Sequence, residues 1–147
     1  MEELPGPGTQ MSFVVDSSVA LAWIYVDELT PATLELSQMV TESGAWVPAI
    51  WYLEIANSLQ TSIRRRRIDV AFRDQAIANL SELSIMTDTE TNSFAWTTTL
   101  DLSDRFRLTM YDACYLELAQ RKHLPLASLD EDLRRAAGSL DIQVLGT

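Results

Sequence analysis

Four acidic residues of the sequence stand in apolar surroundings or directly after a predicted strand. Asp16 and Asp130 follow short apolar runs, whereas Glu54 and Asp112 lie in the apolar opening turns of predicted helices. Carboxylates gathered at one place repel one another and cannot all ionise without a cation. Oxygen-only ligands select a hard ion, so four carboxylates converging at one edge of a sheet predict a site for Mg²⁺ or Mn²⁺ instead of zinc.

Each acid also has a purely structural interpretation. Asp16 is a preferred helix N-cap residue. Asp112 follows Thr109 by three residues, as in a variant capping box, and Asp130 can complement a helix dipole. Glu54 can form a buried pair with an arginine. On this interpretation the chain is a non-catalytic α/β protein-binding module whose acids are helix caps, and metal titration separates the two hypotheses.

The remaining residues exclude several other kinds of site. With one histidine and one cysteine, neither a Cys/His zinc site nor a pair of catalytic histidines can be built. We interpret His123 as a helix-terminating residue and Cys114 as a core residue. The sequence contains no Walker-type loop and no GxGxxG motif. A phosphoryl-accepting domain is disfavoured because Asp16 lacks an acidic neighbour and the only lysine, Lys122, falls at a helix end.

Short strands alternate with helices along the chain. The run Phe13–Val15 is apolar without alternation, which is typical of strands covered on both faces in parallel sheets. Further short strands are predicted at 45–47, 83–86, 124–129 and 142–145. The pattern predicts one domain, residues 11–147, with a three-layer α/β/α fold and a short, mainly parallel central sheet of about five strands. Such sheets place their chemistry beyond the carboxyl ends of the strands.

Helices are predicted between these strands from capping residues and apolar periodicity. They cover 19–23, 31–43, a segment from Pro48 to the arginine block, 70–83, 89–102, 108–119 and a last segment from Asp130 to Gly138. Only Ile68 and Asp69 separate two of them, so this pair is predicted to form an α-hairpin standing off the sheet.

Length, charge and composition limit the kinds of partner and the cellular location that the sequence predicts. The chain has 147 residues and a net charge of −10, which by itself argues against a polyanionic partner. The positive charge is concentrated in the block Arg64–Arg67, and acids that bind metal ions contribute less to the outward potential. A single cysteine, no signal peptide and no long apolar run predict a cytoplasmic protein without a membrane segment. Residues 1–10, rich in Pro and Gly, are interpreted as a flexible extension or a remnant of cloning, with Met11 as the native start.

Four motifs follow one another in the chain, and each contains one of the four acids. They are Val14–Ser18, Leu53–Leu59, Tyr111–Tyr115 and Leu126–Asp130. In this order and spacing they resemble the PIN-domain family, in particular the VapC toxins of bacterial type II toxin–antitoxin pairs. The resemblance extends from about residue 11 to residue 145.

The resemblance implies a Mg²⁺- or Mn²⁺-dependent endoribonuclease that leaves 5′-phosphate and 3′-hydroxyl ends. Asp16, Glu54, Asp112 and Asp130 match the family's acidic positions and are carried over as metal ligands. It also implies an RNA substrate and a VapB-like antitoxin as partner.

Four further residues have lesser predicted roles. Ser17 matches a hydroxyl position beside the first acid, and Ser128 stands where the family commonly has threonine. Asp132 is a second candidate for the role of the fourth acid. Arg67, at the basic end of the third helix, is predicted to face RNA or the antitoxin, with a solvated helix end as the alternative.

Homodimerisation and antitoxin burial are predicted near the tryptophans at 23, 46 and 51, which can equally belong to the core.

Overall fold

The computed structural model describes residues 12–147, which form five β-strands and eight α-helices. The strands are β1 (Phe13–Val15), β2 (Ala45–Val47), β3 (Ile85–Thr87), β4 (Leu126–Ala127) and β5 (Val144–Leu145). The helices are α1 (Ser17–Ile24), α2 (Pro31–Ser43), α3 (Trp51–Arg64), α4 (Val70–Ser81), α5 (Thr91–Phe94), α6 (Thr98–Phe106), α7 (Met110–Lys122) and α8 (Glu131–Ser139). The predicted extension, residues 1–10, and the predicted start at Met11 lie outside the described residues.

The five strands form one sheet in the order β3-β2-β1-β4-β5, and every pair is parallel. The chain therefore runs outward from β1 in one direction through β2 and β3, and returns to the other side of β1 with β4. Val15 of β1 pairs with Ala127 of β4 at this reversal. Ligand sites of open parallel sheets lie at such a reversal, beyond the carboxyl ends of the strands.

The sheet is the middle layer of the predicted α/β/α sandwich, which the structure confirms. All three residues of β1 are fully buried because helices cover both faces of the sheet. Helix α1 packs against α2 and α3, while α7 packs against β1, α6 and α8. Asp16 at the end of β1 and Asp112 on α7 are thereby held by two elements in direct contact.

Helix α2 shows how local sequence sets the element boundaries. It begins at a capping box in which Thr30 and Thr33 exchange side-chain-to-backbone hydrogen bonds, with Pro31 at its first position. It ends at Gly44, whose φ of 74° is the left-handed conformation that glycine adopts at little cost. Both ends agree with the prediction.

Several predicted boundaries were wrong, including those of the strands at 83–86, 124–129 and 142–145, which are shorter or shifted, and three of the helices. Pro48 does not lie in the first turn of α3, because residues 49 and 50 form a turn and the helix begins at Trp51. The single helix predicted over 89–102 is two helices, α5 and α6, separated by a turn. Gly138 does not end α8 but lies in its last turn, since its helical conformation needs no positive φ.

The predicted α-hairpin consists of α3 and α4, joined by a turn in which Arg66 has a positive φ of 57°. Helix α4 packs loosely, and Ala76 is its one buried residue. Within residues 12–147, no helix is both long and apolar enough to cross a bilayer.

Candidate active site

Asp16 is the most deeply buried of the four predicted acids, with 4% of its surface exposed. It follows β1 directly and caps α1, since its Oδ1 accepts a hydrogen bond from the backbone N–H of Val19 at 3.2 Å. The Ser18 hydroxyl donates to the same oxygen at 2.6 Å. The pKa of Asp16 is raised overall, and burial is the largest cause. The negative charge of Asp112 also raises this pKa, whereas the nearby polar groups of Ser128, Ser18 and Val19 lower it.

Glu54 lies in the first turn of α3 and is half-buried. Its Oε1 accepts a hydrogen bond from the Tyr115 hydroxyl of α7. Burial raises the pKa of Glu54, and the charges of Asp112 and Asp16 raise it further. Among residues 12–147 no arginine pairs with Glu54, so the buried ion pair considered as an alternative is not formed.

Asp112 lies between the other acids. It occupies the first turn of α7, where its backbone N–H donates to the capping hydroxyl of Thr109 at 3.1 Å. Burial raises its pKa, and so do the charges of Asp130 and Asp132. Because Asp112 also raises the pKa values of Asp16 and Glu54, it interacts electrostatically with every acid predicted at the site.

Asp130 and Asp132 lie at the start of α8 and are exposed. Asp130 caps this helix, with its Oδ1 accepting from the Leu133 N–H at 2.8 Å. Asp132 forms an exposed ion pair with Arg135 at 3.1 Å. The charges of Asp130 and Asp132 both raise the pKa of Asp112, so these residues lie near one another. The four acids and Asp132 therefore share one edge of the sheet.

Hydroxyl groups connect these carboxylates. Ser128 is fully buried and accepts a hydrogen bond from the Asp130 N–H at 3.0 Å. Ser18 donates to Asp16 and accepts from the Leu129 N–H at 3.0 Å. The ends of β1 and β4 are therefore joined by the Ser18 hydroxyl as well as by the sheet.

Sequence reasoning missed the roles of Ser18 and Tyr115. Tyr115 donates a hydrogen bond to Glu54, which links α7 to α3. One signal was available, because Tyr115 lies three residues after Asp112 and such residues share a helix face. The partner on α3 was not accessible from local sequence.

Arg67 is not brought to the acids. Its helix carries Glu54 at one end and Arg64 at the other, about 15 Å apart at the α-helical rise per residue. Arg67 follows this distal end, is exposed, and borders a cleft with Tyr25 and Asp27. Its predicted contact with RNA or antitoxin stays a prediction.

The chemistry of the donor set fits a hard divalent cation. The site offers carboxylate and hydroxyl oxygens, and within residues 12–147 none of its four principal acids forms an ion pair with lysine or arginine. A cation is the group that would offset charges which raise one another's pKa. In the described part of the chain, no three His, Cys, Asp or Glu side chains already stand close enough to hold an ion. Mutual repulsion favours such separation.

A second charged cluster lies away from these acids and was not predicted. Arg121 of α7 contacts Asp88 and Glu117, each at 2.7 Å, and its guanidinium lies over the Phe94 ring. Burial acts to raise the pKa of Asp88, but hydrogen bonds from Arg121 and Thr91 outweigh it and the pKa is lowered. The cluster joins the end of β3 and α5 to α7, which is a structural role.

Three other predictions concern single residues. His123 ends α7 as its C-cap with φ 55°, as predicted. Cys114 is a partly buried free thiol whose pKa burial and neighbouring acids raise to about 11, so it stays protonated and unreactive. Trp51 belongs to the core at 2% exposure, whereas Trp23 donates its indole N–H to the Thr33 carbonyl at 2.7 Å.

Comparisons with known proteins agree with this geometry. A protein-family model described as PIN domain matches residues 13–139. Solved structures of 15 chains are significantly similar. One of them, the crystal structure of PAE2754 from Pyrobaculum aerophilum, is 19% identical with a TM-score of 0.64, and the match covers 86% of this chain and 84% of that one. At this identity the likeness shows the fold. No curated protein matches the sequence significantly.

Proposed function

Since the chain belongs to the PIN domain family, we propose that it is a Mg²⁺- or Mn²⁺-dependent endoribonuclease. Members of this family are generally metal-dependent nucleases. The family membership supports hydrolysis of nucleic-acid phosphodiester bonds, and the motifs around the four acids support RNA as the substrate.

One observation carries the proposal, which is the charge relationship around Asp112. Asp16, Glu54 and Asp112 come from three different elements, yet their charges raise the pKa values within the group. A stable fold has little reason to gather carboxylates without a cation between them. A divalent ion at this edge accounts for the arrangement.

The chain's own residues then have distinct roles. Asp16 and Asp112 are the central ligands, and Glu54 and Asp130 complete or orient the site. When bound, the ion acts as a Lewis acid that activates water and offsets charge on the phosphate. Tyr115 holds the Glu54 carboxylate, and Ser18 and the Val19 N–H hold that of Asp16. The products carry 5′-phosphate and 3′-hydroxyl ends.

Helix capping alone accounts for less of the site. Asp16 and Asp130 do cap α1 and α8, as the binding-module hypothesis requires. Glu54, however, caps no helix and bonds instead to a tyrosine of another element. The capping hypothesis therefore leaves the half-buried Glu54 unexplained.

The finer biological role rests on the motif resemblance. The chain acts as the toxin of a type II toxin–antitoxin pair in the cytoplasm, is held inactive by a VapB-like antitoxin, and forms a homodimer. Its induction in bacteria should arrest growth, and Asp16→Asn should relieve the arrest at equal protein level. Arrest that persists undiminished in Asp16→Asn would contradict toxicity through this site.

The test of the nuclease activity is cleavage of single-stranded RNA with Mg²⁺ or Mn²⁺. Asp16→Asn, Glu54→Gln and Asp112→Asn should each lower kcat by at least about 100-fold, because losing a ligand disrupts the whole site. Asp104→Asn, an exposed acid of α6, is the matched control and should cleave at the wild-type rate. Full activity in EDTA, or in Asp16→Asn, would refute the proposal.

A further inference from the structure

A cleft of about 440 Å³ adjoins the acidic site along the start of α3. Glu54 and Ser17 border it, and both also belong to the carboxylate site. Leu53, Asn57 and Tyr111 also line the cleft, and we call these three residues its rim. A group bound in this cleft would lie directly beside the scissile phosphate of an RNA held at the acids.

The rim exposes apolar and hydrogen-bonding surface to solvent. Leu53 is 72% exposed and Tyr111 is 57% exposed, although they directly precede the proposed ligands Glu54 and Asp112 in the sequence. Neither the Tyr111 hydroxyl nor the Asn57 amide has a hydrogen-bond partner among residues 12–147. An exposed aromatic face can stack on a nucleobase, and a carboxamide offers one donor and one acceptor to a base edge.

Electrostatics decide which part of RNA this cleft can recognise. The chain carries a net charge of −10, and the acids that border the cleft repel phosphates in the absence of the ion. No lysine or arginine of residues 12–147 lines the cleft, so it offers no ion pair to the phosphate backbone. The contacts that the rim does provide are an exposed aromatic face and hydrogen-bonding groups, which suit an unpaired base.

We propose that the cleft binds one unpaired nucleobase next to the cleaved phosphate, with Tyr111 stacking on the base and Asn57 reading its edge. This inference rests on the proposed ribonuclease function. It places base selection on α3 and α7.

Binding is measured apart from cleavage in an Asp16→Asn background with Mg²⁺, by fluorescence anisotropy of a labelled single-stranded RNA. Tyr111→Leu should bind about 5- to 20-fold more weakly, at the lower end of what one base–aromatic stack contributes. Tyr111→Trp should bind within twofold of its parent because it keeps the stack. Trp96→Ala, an exposed aromatic outside the cleft, is the matched control and should be unchanged.

An RNA of the same length with abasic sugars should bind weakly to every variant and should not respond to Tyr111→Leu. Equal binding of Tyr111→Leu and its parent, or of intact and abasic RNA, would overturn the inference. A changed sedimentation coefficient of Tyr111→Leu with unchanged RNA binding would also overturn the inference. The surface around Tyr111 would then be a contact between copies of the chain.

Cleavage by the otherwise wild-type protein separates this inference from the proposed function. Asn57→Ala should change the base preference at the cleavage position, measured as the ratio of kcat/KM values for RNAs that differ only in that base. If the wild-type protein cleaves RNA and neither Tyr111→Leu nor Asn57→Ala changes KM or base preference, the base site is wrong and the nuclease stands. If it does not cleave but binding depends on Tyr111, the nuclease is wrong and the base site stands.

Discussion

The hydroxyl of Tyr115 donates a hydrogen bond to Oε1 of Glu54, joining α7 to α3 across 61 positions of sequence. Tyr115 is 1% exposed, so its ring is fixed by packing. Burial and the Glu54 charge raise its pKa, which keeps the hydroxyl protonated as a donor. Helix α7 therefore supplies both Asp112 and the group that orients Glu54.

Removing this hydroxyl should weaken metal binding while leaving every proposed ligand in place. We expect Tyr115→Phe to bind Mn²⁺ about tenfold more weakly, the usual effect of losing a residue that orients a ligand. Isothermal titration measures the affinity. Tyr52→Phe is the control, since it removes a comparable hydroxyl bond to Thr87 away from the acids. Unchanged Mn²⁺ affinity in Tyr115→Phe would show that the bond serves packing alone.

Neutralising the central acid should stabilise the metal-free protein. Asp112→Asn removes a charge that other acids oppose, so the free energy of unfolding in EDTA should rise by about 0.5–1 kcal/mol. Urea titration measures it, with Asp104→Asn as the control for net charge. In Mg²⁺ the order should reverse, because the wild-type protein gains the free energy of ion binding. Loss of stability in EDTA would indicate that Asp112 serves the fold.

The same acids should make stability depend on pH when no metal is bound. The pKa values of Asp16, Glu54 and Asp112 are raised by folding, so the folded protein holds these protons more tightly. Their contribution is complete below the unfolded pKa of about 4 and is lost as pH rises through the folded values. Asp88 has the opposite dependence, because its lowered pKa contributes stability above pH 4 that is lost on acidification.

Thermal melts in EDTA isolate the contribution of the site. The Tm difference between the wild type and the Asp16→Asn, Glu54→Gln, Asp112→Asn triple variant should shift steadily in favour of the variant as pH rises from about 4 to 8. Asp88 is common to both proteins and cancels. A difference independent of pH would contradict the raised pKa values.

Arg121 should be among the most important residues for stability outside the core. Its loss leaves the Asp88 and Glu117 carboxylates buried without a positively charged partner, at 3% and 4% side-chain exposure. We expect Arg121→Met to lower the free energy of unfolding by about 3–5 kcal/mol. Arg135→Met breaks an exposed pair and should change it by less than about 1 kcal/mol. Similar effects of the two substitutions in urea unfolding would contradict this assignment.

Two glycines should respond oppositely to alanine. Gly44 has a φ of 74°, and a Cβ there would lie 3.1 Å from the Ser84 carbonyl oxygen, so Gly44→Ala should destabilise by about 1–3 kcal/mol. Gly138 lies in α8 with nothing within 4 Å of such a Cβ. Gly138→Ala should therefore stabilise by about 0.5–1 kcal/mol through helix propensity. Calorimetric melts compare the two variants. Equal destabilisation by Gly44→Ala and Gly138→Ala would contradict the prediction.

The sequence was most informative where structure is decided locally. The apolar run Phe13–Val15, the capping residue Thr30 and the terminating Gly44 each predicted a boundary that the structure shows. The predicted strand ends placed Asp16 and Asp130 at one edge of the sheet, whereas Glu54 and Asp112 were singled out by the apolar helix turns around them. Periodicity failed over 89–102 because a turn interrupts the apolar pattern without a proline or glycine.

Contacts between distant elements could not be predicted in the same way. The bond from Tyr115 to Glu54 and the contact of Arg121 with Asp88 depend on how helices pack, which no local pattern encodes. Tyr111 looked like a neighbour of a ligand, and its exposure became visible only in three dimensions.

The capping bonds of Asp16 and Asp130 to α1 and α8 involve no cation. Small zinc domains, in contrast, unfold when their metal is removed, because the ion supplies the free energy of folding. This chain completes both helix starts with its own atoms, so we expect these two helices to form in the metal-free protein. The proposed ion would then bind to a chain that is already folded.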